Sequence, residues 1–114
     1  MEELDPVSNL SNVELFQLFK QQLKKDFEGA GIDAAFTDNL SSDFLELKNS
    51  LLKQLDSIIR NNTLAGLLYR VDINEFQIKK YTTSNSHLDF DEVIAELIIK
   101  RILQKIILKK RFSA

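Results

Sequence analysis

From Phe44 to Ile59 the apolar residues recur at the spacing of a helix, not of a strand. Phe44, Leu51 and Ile58 repeat every seven residues, as do Leu45, Leu52 and Ile59, and Leu47 and Leu55 lie between the two rows. A strand would alternate residue by residue, whereas this spacing gathers all of these side chains on one side of a helix. The face they make is about 160° wide, broader than the seam of a two-stranded coiled coil, and suits a helix packed against two neighbours in a bundle. The pattern predicts a helix over roughly 41–60. Asp56 and Arg60 add an i,i+4 ion pair on its exposed side, worth a few tenths of a kcal/mol.

An earlier helix is predicted at roughly 12–28, with Ser11 or Asn12 as the N-cap that accepts an otherwise unpaired amide. Phe16, Phe19, Leu23 and Phe27 form its apolar stripe, and Lys20, Lys24 and Lys25 lie off it. Gly29 is expected to end this helix in a left-handed conformation, so that Gly29-Ala30-Gly31 makes the turn. Residues 1–11 read as a polar, frayed lead-in.

Asn61-Asn62-Thr63 interrupts the second helix, and the stretch 63–81 then admits two readings. Leu67 to Ile73 has the Val, Ile and Tyr content of a strand, but no partner strand is available and an isolated strand is unstable. Two short helices near 63–70 and 73–81, broken near 72, fit better. Asp72 and Glu75 have the spacing of a capping box, and Gly66 is expected to let two backbones approach closely. Residues 82–87 read as an exposed loop.

The last helix is predicted at roughly 90–112, opened by Asp89 as N-cap and Glu92 three residues on. Its apolar positions drift round the wheel. Phe90, Ile94, Leu97 and Ile98 cluster first, and Ile99, Ile102, Leu103, Ile106 and Ile107 then occupy another face. A helix apolar over so much of its circumference is either central to its fold or shared with a second copy. Both are expected, and Ile99, Ile102, Ile106 and Ile107 are the candidate self-association face. The chain therefore reads as all-α, a compact bundle of about four main helices with residues 1–114 forming one domain.

Composition supports this reading. A chain of 114 residues suits one domain and can bury roughly two-thirds of its unfolded surface without a metal or disulfide. Three Gly and one Pro are few for an all-β fold. With no cysteine, disulfides, thiolate zinc sites and cysteine nucleophiles are excluded. The acidic start Met1-Glu2-Glu3-Leu4-Asp5 does not resemble a secretory signal, and no apolar run reaches the length of a membrane span, so no transmembrane segment and a cytoplasmic location are expected. The triplets at Asn9, Asn39 and Asn61 are then chance matches to a glycosylation motif.

Charge changes the picture more. The net charge of −2 hides a gradient: residues 1–46 hold ten acids and three bases, whereas residues 100–114 hold six bases and no acid. Lys100, Arg101, Lys105, Lys109, Lys110 and Arg111 form a candidate anion-contact face. Such a face can neutralise nucleic-acid phosphates or meet an acidic protein or membrane surface. Ile102, Leu103, Ile106, Ile107 and Leu108 interrupt it and must be buried, and only Phe112 is available for base stacking, so nucleic acid is not favoured. The acidic first third is itself a candidate partner for the basic end, within one chain or between two.

Candidate chemistry is sparse. The one histidine, His87, lies near Asp89, Asp91, Glu92 and Glu96, and Glu92 and Glu96 are one helical turn apart, close enough to share a cation. The same acids serve equally well as caps at the positive end of a helix dipole, and no second histidine supports a metal. Gly29-Ala30-Gly31 lacks the remaining features of a phosphate loop, and no serine sits in a nucleophile elbow. The expectation is a non-catalytic helical interaction or scaffolding module, self-associating as a homodimer or bound to another protein, with no cofactor, metal or small-molecule ligand. The alternatives are a nucleic-acid-associated protein using the basic helix, and a metal-dependent protein using the cluster from His87 to Glu96.

Overall fold

The C-terminal helix sets the architecture. A computed structural model describes residues 5–112 and contains, among them, six α-helices and no strand. In chain order these are α1 (Pro6–Leu10), α2 (Val13–Gly29), α3 (Phe44–Arg60), α4 (Leu64–Val71), α5 (Glu75–Ser84) and α6 (Phe90–Phe112), with a 3₁₀ turn at Ala35–Asn39 between α2 and α3. The all-α reading holds. The stretch 63–81 is two helices broken at Asp72, as the missing partner strand implied.

Each helix starts and stops where the local chemistry directs. The Asn12 side chain accepts the Leu15 amide at 3.0 Å, and Asp43 accepts the Glu46 amide at 3.0 Å. Asp89 and Glu92 exchange hydrogen bonds of 2.9 and 3.4 Å at the start of α6. A reciprocal pair also opens α5, but it is Asn74 with Gln77, at 2.8 and 2.9 Å, and not the expected Asp72 with Glu75. Asp72 is instead a left-handed residue, as are Gly31 and Asn62, with φ of 75°, 77° and 57° respectively. Each is followed by an amide that folds back on its helix: Ile32 to the Phe27 carbonyl at 2.9 Å, Thr63 to Ile58 at 3.0 Å, and Ile73 to Leu68 at 2.9 Å. Gly31, not Gly29, therefore holds the left-handed position after α2. Gly29 is the last residue of α2, and a Cβ there would collide with the Arg70 guanidinium. Gly66 has no neighbour within 4 Å of where its Cβ would be, so no close backbone approach depends on it.

Packing converges on α6. Val93, Ile94, Ala95, Ile98, Ile99, Ile102, Leu103 and Ile106 are buried, which takes up most of its circumference. It packs against α1, α2, α3, α4 and α5. The stripe predicted for α2 is in place, with Phe19, Leu23 and Phe27 fully buried and Phe16 half-buried. No helix among the described residues is long and apolar enough to cross a membrane.

Two expectations need correction. The face of Ile99, Ile102 and Ile106 is enclosed by the chain's own helices, with only Ile107 half-buried at its margin, so it cannot receive a second copy in this fold. Residues 1–4 of the expected frayed lead-in lie outside the described residues, but the rest of it is structured. Asp5 caps α1 by accepting the Val7 amide at 3.1 Å, Pro6 occupies the first turn where no amide is needed, and Leu10 is completely buried among α2, α3 and α6.

If Leu10 anchors α1 in this way, Leu10→Ala should destabilise the protein by about 2–5 kcal/mol, the range for truncating a buried leucine. Chemical denaturation followed by circular dichroism measures it. A loss below about 0.5 kcal/mol, as for a surface change, would mean that α1 is not part of the core.

Candidate functional site

The acids at the start of α6 are the first place to look for chemistry. Glu92 and Glu96 do share a cation, but it is the ammonium of Lys48 from α3. Lys48 Nζ lies 3.0 Å from Glu92 Oε2 and 2.8 Å from Glu96 Oε2. The Tyr81 hydroxyl donates to the other Glu96 oxygen at 2.5 Å, and the Asp89 amide donates to the other Glu92 oxygen at 3.4 Å. The Lys100 ammonium sits over the Tyr81 ring, 4.9 Å from its centre. His87 is exposed and makes no hydrogen bond to these groups, and its charge is the smallest of the contributions that lower the Glu92 carboxyl. Among the described residues no three acids or histidines are grouped so as to hold a metal.

The electrostatics follow from this geometry. The hydrogen bond from Lys48, then that from the Asp89 amide, holds the Glu92 carboxyl below the usual carboxylate range. Burial alone would pull the Lys48 ammonium down, but hydrogen bonds to Glu96 and Glu92, with their charge, more than offset this and raise it. The cluster is thus an electrostatic clamp between α3, α5 and α6, with both carboxylates engaged.

The basic end of α6 is spent in a similar way. Arg101 donates to the Asp72 carboxylate at 2.8 Å and to its carbonyl at 3.3 Å, which lowers the Asp72 pKa. Lys105 donates to Asp26 Oδ2 at 2.7 Å and to the Arg70 carbonyl at 2.9 Å. Gln22 donates to the other Asp26 oxygen at 3.0 Å and accepts from Lys109 at 2.6 Å. Lys110 pairs with Glu14 at 2.9 Å near the start of α2. The acidic first third of the chain therefore does face the basic end, within one molecule. Lys109 and Lys110, with Lys25, rim a shallow cleft of about 520 Å³ between α2 and α6, floored by Leu18 and Ile106. No buried side-chain nitrogen or oxygen among the described residues lacks a hydrogen-bond partner.

What remains free is apolar. Of the broad face predicted on α3, Leu47, Leu51, Leu55 and Ile58 are buried, and Phe44 and Leu52 are half-buried. Leu45 is 66% exposed, whereas Ile59, at 37%, and Leu52, half-buried against the core, are mostly covered, so the second seven-residue row is open chiefly at Leu45. Tyr69 on α4 and Phe76 on α5 also project into solvent, at 83% and 73%.

Sequence reasoning brought Glu92 and Glu96 together but missed Lys48, which is 44 and 48 residues away and looks like an ordinary surface lysine in the helical pattern. The one available signal was its place beside the apolar face of α3, where a lysine stem is covered and its head must find a counter-charge. No family model, curated protein or solved structure matches the chain.

Replacing Lys48 with methionine keeps the stem and removes the charge, leaving two neighbouring carboxylates without their shared donor. Near pH 7 this should cost about 1–3 kcal/mol. Because Lys48 depresses the Glu92 pKa in the folded state, its contribution is present above the ordinary carboxylate range and is lost as pH falls through the folded value. The gap between wild type and Lys48→Met, measured by denaturation, should therefore shrink as pH is lowered below the ordinary carboxylate range. A gap independent of pH would show that the clamp contributes packing alone.

Proposed function

We propose that the chain is a non-catalytic helical interaction module that associates with protein, and first of all with itself. The carrying observation is the contrast between committed and free groups. Most of the carboxylates and bases that could have served catalysis, metal binding or phosphate contact, Glu92, Glu96, Arg101 and Lys105 among them, are tied into contacts between elements of the fold. Large apolar side chains on α3, α4 and α5 are left in water. A pocket enzyme has the reverse arrangement, with polar groups converging unpaired in a concave site.

The same contrast weakens the nucleic-acid reading. Arg101, Lys105, Lys109 and Lys110 each have a partner in their own chain, and exchanging it for a phosphate would strand Asp72, Asp26, Gln22 or Glu14. The metal reading meets the same obstacle at Lys48. The cytoplasm, which suits a cysteine-free chain, is the compartment that we assign.

Sedimentation velocity over a roughly hundredfold concentration range tests the reading. The mass should rise above the 13.1 kDa of one chain as concentration increases. A mass fixed at that value throughout would remove self-association.

A further inference from the structure

We infer that the outer row of α3 is a two-fold, antiparallel contact between two copies of this chain, with Leu52 on the axis and Leu45 of each copy facing Ile59 of the other. This rests on the self-association proposed above and names its surface.

The row is self-complementary. Leu45, Leu52 and Ile59 are evenly spaced, so turning the helix end over end about Leu52 places the row on itself. A two-fold contact requires that if residue i meets j, then j meets i, and this row meets that condition. Seven-residue steps drift only about 20° round a straight helix, so the three side chains keep to one seam over roughly 21 Å. Leu45 is the most open of them at 66% exposed, with Ile59 37% exposed and Leu52 half-buried between them. The seam is rigid. Lys48, one turn from both Leu45 and Leu52, fixes α3 to α6 through Glu92 and Glu96.

Charge selects the direction. Glu46, in the first turn of α3, is exposed and has no ion pair among the described residues. Arg60, at its end, is paired among the described residues only with Asp56 of its own helix, on an exposed surface where such a pair is readily exchanged. Antiparallel pairing about Leu52 brings Glu46 of one copy to the level of Arg60 of the other, on the same flank of the seam and at both of its ends. It also opposes the two helix dipoles. Parallel pairing would set Glu46 against Glu46 and Arg60 against Arg60. Three aliphatic side chains per copy make a small interface beside a standard one, so the dimer should dissociate on dilution.

Because the chain has no cysteine, single cysteines report the geometry directly. Under mild oxidation Leu52→Cys should cross-link to itself. Leu45→Cys and Ile59→Cys should each fail alone and cross-link when mixed, because a disulfide forms only where Cβ atoms approach within about 4.5 Å. Self-cross-linking of Leu45→Cys and of Ile59→Cys would mean a parallel pair and overturn the inference. If wild type dimerises by sedimentation but none of these variants cross-links, α3 is not the surface, and self-association stands without it. If wild type is monomeric at every concentration, the functional reading fails first. As a check without oxidation, Leu45→Lys should keep its helix content and melting temperature, since Leu45 is mostly exposed, and weaken dimerisation at least about tenfold. Unchanged dimerisation would count against the seam.

Discussion

The structure depends on one constraint: a helix that is apolar on most of its circumference has to be covered from several directions at once. In α6, residues from Val93 to Ile106 are buried on faces that point to different neighbours. Each buried isoleucine or leucine is worth about 1.5–3 kcal/mol only if another element excludes water from it. One partner helix cannot do so. The three faces taken by α2, α3 and the α4–α5 corner, with α1 at the margin, follow from that geometry. Short elements with little stability of their own, such as α1 and α5, are held because α6 has surface for them to cover.

Apolar coverage sets how many neighbours are needed but not their register. The polar contacts supply that. Lys48 ties α3 to α6, Lys105 ties α2 and the end of α4 to α6, Arg101 ties the α4–α5 junction, and Tyr81 ties α5. Partly buried ion pairs add little net stability, because each charge gives up water, but a packing that misaligns one strands both partners. The functional consequence is economical. Most of the polar groups one would consider for catalysis or anion binding already position the helices, and the apolar side chains left in water include Leu45 on α3, Val7, Val13 and several isolated aromatics.

Periodicity and capping chemistry made much of this legible in advance. The strong period of 44–59, the absence of any partner for a strand at 67–73 and the Asp89–Glu92 start all appear as helices at nearly the expected bounds. What was not legible depended on distance in the chain. Leu10 is a single apolar residue in a polar stretch, and no local pattern can show that α2, α3 and α6 leave a place for it. The Lys48–Glu92–Glu96 bridge joins positions that sequence alone does not relate. A helical wheel showed that Ile99, Ile102 and Ile106 need cover, but not whether the cover would come from a second copy or, as it does, from the same chain. Gly29 was the residue expected to be left-handed, but α2 runs through it and Gly31 takes that conformation, closed by the hydrogen bond from Ile32 to Phe27.

Native-state hydrogen exchange is the most direct test of the claim that α6 is the element on which the rest is built. Amides between Ile94 and Ile106 should be the slowest in the chain, exchanging only through global unfolding and with the full denaturant dependence of that transition. Those of α5, which has no fully buried residue, should exchange through smaller local openings. Exchange of the α6 amides at the rate and denaturant dependence of α5 would contradict the account, because a helix enclosed on several faces cannot open without its neighbours.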